Sequence, residues 1–278
     1  MLPVPVHGVA EPPENSEGFL ANFRKQLDSS VANSSHVNLS SSSFKLATVN
    51  TLKTVIGFIG LTLFARELGS HYIGIFFLFQ ALLRMIETIT ALGVDGSVVK
   101  RLSEGEHQGS TVATAILIKT GSLTVVTGGI ILFRNQINNY LGADLALVFA
   151  LAVVLEVSAL FSMTILHGEL RVGETAYPNF LRRLTYVVVG YALILAGFKT
   201  RALVYGLLAG MVLQLLWGVK KTDVSLGRPS VTQARSLFNF AKYSFISRIS
   251  GSVYAWMDVT IIGFFLTQAD AGVYEIAW

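Results

Sequence analysis

Apolar residues fall in long runs along this chain, and the runs have the length that a helix needs to cross a bilayer. From Leu46 to Phe64 nineteen residues carry one charge, Lys53, and from Ile73 to Val94 twenty-two carry two, Arg84 and Glu87. About 20 mainly apolar residues cross a hydrocarbon core of roughly 30 Å. The two runs, joined by the polar turn Ala65-Arg-Glu-Leu-Gly-Ser-His-Tyr72, therefore predict a membrane hairpin. Further runs at Val112–Phe133, Leu145–Leu166, Leu184–Phe198, Ala202–Val219 and Tyr243–Leu266 bring the expectation to seven spans in an all-α polytopic membrane protein. All six prolines lie outside these runs, where none removes a mid-span hydrogen bond.

The first 43 residues break the pattern. Pro3, Pro5, Pro12, Pro13 and the Ser/Asn-rich run Ser29–Ser43 hold too little apolar material to pack, which predicts a disordered tail. A short amphipathic helix fits Phe19–Leu27, where Phe19, Leu20, Phe23 and Leu27 share a face beside Arg24 and Lys25. The expected organisation is then a tail over 1–43, a six-helix lobe over 44–219, a cytoplasmic loop over 220–242, and the first helix of a second lobe with the start of the next over 243–278.

Composition agrees: 52% of residues are hydrophobic, 14% are charged and mean hydropathy is +0.58, against roughly 25% charged in soluble domains. The absence of cysteine excludes disulfides and thiolate metal sites. A net charge of +4 raises the question of nucleic acid, but the position of the charges answers it otherwise. With the N-terminus inside, thirteen of the 21 Lys and Arg fall on the cytoplasmic side and four, Arg66, Arg134, Lys199 and Arg201, on the outer side. That asymmetry orients the chain with a cytoplasmic N-terminus and leaves no call for a nucleic-acid partner.

Laid over itself with a shift of 198 residues, the chain matches Leu68, Gly74, Ile75 and Phe76 to Leu266, Gly272, Val273 and Tyr274. Six spans separate the copies, so the repeat is parallel, about an axis along the membrane normal. The second copy reaches only its first helix before Trp278.

Charged residues inside the spans are the candidate chemistry, because a charge at mid-bilayer costs at least about 2.5 kcal/mol and so faces a polar cavity or a partner. Lys53 lies about 10 Å into the first span, Arg84 near the middle of the second, and Arg248 about one turn into the seventh. Arg84 and Glu87, spaced i, i+3, can also neutralise one another, while Lys53, Arg248 and Lys119 can snorkel. Glu156 sits in mid-span with no basic residue at i±3 or i±4, which predicts protonation, a partner on another helix, or a cavity. Glu156 and Glu87 are the candidates for proton or sodium coupling. Gly206-Leu-Leu-Ala-Gly210 is a small-residue pattern suited to close packing within the lobe.

The Ala65-Arg-Glu-Leu-Gly69 turn, Tyr72-Ile-Gly74-Ile-Phe76, Leu92-Gly-Val-Asp-Gly-Ser-Val-Val-Lys-Arg-Leu-Ser103, Asp258-Val-Thr-Ile-Ile-Gly263 and Ala271-Gly-Val-Tyr274 together resemble the Wzx-type polysaccharide and oligosaccharide flippases of the MOP exporter superfamily. The resemblance runs from about Phe44 to Trp278. It implies two six-helix lobes around a central cavity, and alternating access that moves polyprenyl- or dolichyl-linked glycans, carried on phosphate or pyrophosphate, across the plasma membrane. It also implies glycosyltransferases of the same pathway as partners. Such a substrate gives the three cations a role: Lys53, Arg84 and Arg248 would offset the desolvation of its phosphate, with the Arg84 guanidinium fork the best suited to grip phosphate oxygens.

Two other readings stay open at this level: a MATE-like ion-coupled drug exporter, and a non-transporting lobe that acts as an assembly partner. No enzyme is expected, since the chain contains no GxxxxGK[ST], GxSxG or HExxH pattern, its five histidines lack ligand spacing, and no cofactor site is apparent.

Overall fold

A computed structural model describes residues 39–105 and 107–277, with side chains described from residue 48. The expected tail over 1–38, including the Phe19–Leu27 helix, lies outside the described residues. The described residues form helices and turns with no strand. In chain order the helices are α1 (Leu39–Leu68), α2 (Ser70–Thr90), α3 (Val94–Ser103), α4 (Gln108–Leu132), α5 (Arg134–Leu141), α6 (Ala146–Gly168), α7 (Ala176–Leu195), α8 (Thr200–Lys221), α9 (Val231–Phe265) and α10 (Gln268–Ala277). A single 3-10 turn, Val172–Thr175, precedes α7.

Five of these helices are long and apolar enough to cross a membrane: Thr48–Leu68, Ser70–Thr90, Gln108–Leu132, Ala146–Gly168 and Thr200–Lys221. The chain is an all-α polytopic membrane protein. At the two other expected spans the chain is also helical, in α7 and α9, with 20 and 35 residues. Both are more polar than the five: α7 opens with Asn179, Arg182 and Arg183, and α9 carries Lys242, Arg248, Asp258 and a series of serines.

Three expected boundaries move. Helix α1 begins at Leu39, inside the segment expected to be tail, and α7 begins eight residues before Leu184, which brings Arg182 and Arg183 into a helix. The loop expected over 220–242 shrinks to 222–230, because α8 runs to Lys221 and α9 starts at Val231. Its serines and basic residues read as loop in isolation, yet Leu237 and Ala241 of that stretch are buried against α3 and α4. Tertiary packing overrides local polarity there.

Helices α2 and α6 form the centre, each buried over 61% of its apolar 18-residue stretch, whereas α1 and α4 are buried over only 17% of theirs. Phe76 and Phe79 of α2 meet Tyr186 of α7 and Phe149 of α6, with ring centroids 5.5 Å and 5.2 Å apart. Small residues bring backbones together, as expected where lipid supplies no hydrophobic drive between helices. At Gly206 and Gly210 of α8 a side chain would come within 2.7 Å and 2.6 Å of the carbonyl oxygens of Tyr186 and Arg182 on α7. The GxxxG pattern thus packs α8 against α7 of the same chain.

The 198-residue repeat is visible in the helix boundaries. Helix α2 starts at Ser70 and α10 at Gln268, each after a break that ends a longer helix. The first break needs only Gly69, whose φ of 79° lies in the left-handed region. Gly74 and Gly272, equivalent in the repeat, face one another across α2 and α10. A methyl group at Gly74 would overlap the carbonyl oxygen of Gln268, and one at Gly272 would overlap that of Ser70, the residue equivalent to Gln268. The contact is therefore reciprocal, as a crossing at a pseudo-twofold axis must be.

Candidate functional site: a cation-lined cavity between helices

The site is built on α1, α2, α6, α7 and α8. Glu156 on α6 is fully buried and grips two arginines: its Oε1 lies 2.5 Å from Nη1 of Arg84 and its Oε2 lies 2.6 Å from Nη2 of Arg182. Arg182 donates through Nη1 to Oε1 of Gln214 at 2.7 Å, and Gln214 donates through Nε2 to Oδ1 of Asn179 at 2.7 Å. Gly210 admits the Arg182 turn of α7 against α8, so the small residue of the packing motif also sets the position of this arginine. A buried carboxylate with two charge-assisted partners is fully satisfied, and this is the condition under which a buried charge is tolerated.

These groups border a cavity of about 240 Å³ lined by Lys53, Gln80, Arg84, Asn179, Arg182, Arg183, Tyr186 and Gln214, with Leu160 and Leu207. A second cavity of about 340 Å³ shares Gln80, Arg183 and Tyr186 with it and extends to Gly57, Trp256 of α9 and Glu275 of α10. Space lined by cations on α1, α2 and α7 thus continues to residues of α9 and α10. Arg183 lies over the Tyr186 ring, 5.5 Å from its centroid, and crosses α1 at Gly57, where a Cβ would stand 2.8 Å from its Nε. Four cations, Lys53, Arg84, Arg182 and Arg183, surround the first cavity against one carboxylate, Glu156. The Arg84 side chain is 34% exposed, which leaves part of its fork open to the cavity.

The predicted site residues divide into two groups. Lys53 and Arg84 are brought together, with Lys53 donating to Oδ1 of Asn50 at 3.3 Å. Arg248 does not line this cavity. It reaches from α9 to Glu87 and Asp95, with Nη2 3.2 Å from Oε1 of Glu87 and Nη1 3.1 Å from Oδ2 of Asp95. Arg84 and Glu87, which could have paired with one another, are each paired elsewhere, because Arg84 turns to α6 and Glu87 to α9.

Lys119, a candidate to snorkel, is buried instead. Its Nζ is 2.8 Å from Oδ1 of Asp95, an ion-pair contact without hydrogen-bond angles, and lies 5.1 Å over the Phe161 ring. Around α2 the described ionisable groups therefore alternate in sign along two chains: Lys119, Asp95, Arg248 and Glu87, then Arg84, Glu156 and Arg182.

Sequence reasoning missed Arg182 and Arg183, which it assigned to a cytoplasmic loop. The available signal was the helical continuation to Phe180 and beyond, since Pro178 is tolerated in the first turn of a helix.

Comparison with known proteins gives a consistent result. Residues 39–277 match the family described as polysaccharide biosynthesis protein. The chain is 47% identical over 242 residues to "Probable low-salt glycan biosynthesis flippase Agl15" of Haloferax volcanii, covering 87% of this chain and 51% of that protein. It is 29% identical over 236 residues to "Probable flippase AglR" of the same organism, covering 82% of this chain and 48% of that protein. The chain therefore spans about half the length of the curated relatives it matches. In fold it is similar to "Lipid II flippase MurJ, inward closed conformation", with a TM-score of 0.63 at 15% identity, covering 83% of this chain and 54% of that one. The fold is thus similar to just over half of that structure, and the chain belongs to the polysaccharide biosynthesis protein family.

Proposed function

We propose that this chain forms the first lobe, and the entry into the second, of a flippase that moves lipid-linked oligosaccharide or polysaccharide precursors across the plasma membrane by alternating access. Its N-terminus is on the cytoplasmic side and glycosyltransferases of the same biosynthetic route supply its substrate. The observation that carries this reading is the convergence of Lys53, Arg84, Arg182 and Arg183 on one cavity among the helices, with no carboxylate among the described lining residues and Glu156 bonded to Arg84 and Arg182 behind them.

A polyprenyl or dolichyl phosphate or pyrophosphate loses its hydration on entering such a site. Arginine forks replace that hydration with bidentate charge-assisted bonds. Within this reading Lys53, Arg84 and Arg183 contact the phosphate groups, and Arg182 with Gln214 and Asn179 holds the frame. Glu156, between two arginines of one lobe, positions Arg84 and Arg182. Ion coupling belongs with Glu87, whose cation Arg248 sits on α9, the first helix of the second lobe in the repeat. When the lobes part, Glu87 loses that partner, and an unpaired buried carboxylate takes up a proton or a cation.

The test is transport of a labelled lipid-linked oligosaccharide by the full-length protein in proteoliposomes. Arg84→Gln and Arg183→Gln are expected to lower the flipping rate at least about tenfold, in line with loss of a charge-assisted bond. Wild-type rates in both variants would sink the cavity assignment.

A further inference from the structure

A further concavity, of about 390 Å³, lies at the opposite end of the helices from the 222–230 linker. Three helix junctions meet there: His71 and Tyr72 at the start of α2, Gly142–Leu145 between α5 and α6, and Gly197–Arg201 between α7 and α8. Helix alternation puts all three on one face of the membrane. The charge asymmetry makes it the outer face, and Lys199 and Arg201 are two of the four cations assigned to that side.

The walls of this pocket are fixed by their own bonds. Gly142 and Gly197 hold φ values of 70° and 89°, a conformation that glycine adopts without strain. Oδ1 of Asn138 accepts the backbone N–H groups of Leu145 and Ala146 at 3.0 Å and 2.8 Å, and its Nδ2 donates to Oδ1 of Asp144 at 2.7 Å. Thr200 donates through its hydroxyl to the carbonyl oxygen of Tyr72 at 3.2 Å. Lys199 donates to the Tyr72 phenol oxygen at 2.9 Å and lies 5.0 Å over the same ring.

The chemistry is mixed in a particular way. Lys199 and Arg201 have no carboxylate partner among the described residues, and the phenol bond to Lys199 raises its pKa, so the ammonium stays charged. The rings of Tyr72 and Phe198, the Asp144 carboxylate and the His71 imidazole complete the lining. Convergent cations suit an anion, ring faces suit an apolar C–H surface, and an acid and an imidazole suit hydroxyl groups.

We propose that this outer pocket binds an acidic saccharide unit, with the sugar carboxylate at Lys199 and Arg201, the ring against Tyr72 and Phe198, and hydroxyls at Asp144 and His71. A phospholipid headgroup would share the two cations but leave the aromatic faces and the acid without a complement. The assignment rests on the glycan-transport reading for its physiological ligand, and position supports it. Gly142 abuts the side chain of Gln268, the first residue of α10, so that a Cβ there would lie 2.8 Å from Nε2. The pocket thus borders the α2–α10 crossing, and a glycan leaving between the lobes on this side passes it.

The experiment is saturation-transfer NMR on the full-length protein in nanodiscs of neutral lipid, with three probes: an oligomer of glucuronic acid, a glucose oligomer of equal length, and glycerol phosphate. The uronate oligomer is expected to bind at least about tenfold more tightly than the other two, and to lose about tenfold in affinity with Lys199→Gln or Arg201→Gln. Lys199→Arg should retain binding. Arg101→Gln, a surface cation on α3 paired with Glu104 and outside both cavities, should leave it unchanged, and the phosphate-cavity reading stands or falls separately on the flipping rates of Arg84→Gln and Arg183→Gln. Equal binding of the neutral sugar, tighter binding of glycerol phosphate, or uronate binding that survives both charge removals would overturn the proposal.

Discussion

The α2–α10 crossing makes a quantitative prediction, because its closeness depends on two missing methyl groups. Gly→Ala inside an exposed helix is ordinarily stabilising by about 1 kcal/mol. At Gly74 the added methyl would overlap the backbone oxygen of Gln268 and approach the Gly272 nitrogen to 2.9 Å, and backbone atoms cannot swing aside as a side chain can. Relief requires α2 and α10 to separate, at an overpacking cost of about 1–3 kcal/mol. The propensity gain is present whether or not the helices touch, so it cancels from the equilibrium between closed and parted crossings. Gly74→Ala should therefore shift that equilibrium toward the parted state by about 2 kcal/mol, roughly thirtyfold.

Gly272→Ala should act alike, and the double variant should be less than additive, since one separation relieves both overlaps. The chain contributes no cysteine, so Gln80→Cys places a single reporter in the cavity that α1, α2 and α7 share with α9 and α10. Its labelling by a membrane-impermeant thiol reagent from the outer side should accelerate several-fold or more with Gly74→Ala. It should stay unchanged with Gly121→Ala, where a Cβ meets nothing within 4 Å. If Gly74→Ala labels like Gly121→Ala, the crossing does not hold the outer side closed.

Glu156→Gln leaves the largely buried Arg182 and the partly exposed Arg84 without their carboxylate, so thermal denaturation in detergent should reveal a loss of about 3 kcal/mol; a neutral outcome would deny Glu156 its positioning role. Glu87→Gln should flatten the pH dependence of flipping, whereas an unchanged profile would remove Glu87 from coupling. At the linker, Arg171 bonds to Glu174, Glu169 and Asp223 and donates to the Lys221 carbonyl oxygen, and its guanidinium holds the Glu174 carboxyl below the ordinary 4.5. A depressed carboxyl contributes stability that is complete above its unfolded value and is lost as pH falls through the folded one. Protection of the 222–230 amides relative to their intrinsic exchange rate at each pH should therefore hold from pH 7 to about 5 and fall in more acid solution, and protection already falling near pH 6 would contradict this.

The spans were legible because lipid imposes a composition rule on length, and Lys53, Arg84 and Glu156 stood out because charge is costly there. The repeat was legible in four residue matches, and the helix starts at Ser70 and Gln268 carry the same offset. What could not be read was pairing. Arg84 and Glu87 sit one turn apart on one helix, yet their partners come from α6 and α9, and nothing in local spacing reports a residue 72 or 161 positions away. Arg248, expected beside Lys53 and Arg84 as a phosphate-binding cation, is claimed by Glu87 and Asp95. Arg182 and Arg183 were hidden by the opposite effect: two adjacent arginines read as loop when the buried acid that holds one of them lies on another helix.

The central claim is that the cavity recognises phosphate. Equilibrium binding of a polyprenyl diphosphate glycan and of its phosphate-free analogue to the full-length protein, native and Arg183→Gln, tests it most directly. The account predicts that the native protein prefers the phosphorylated ligand by at least about tenfold and that Arg183→Gln loses most of this preference while binding the phosphate-free analogue as before. Equal affinity of the native protein for both ligands would contradict it.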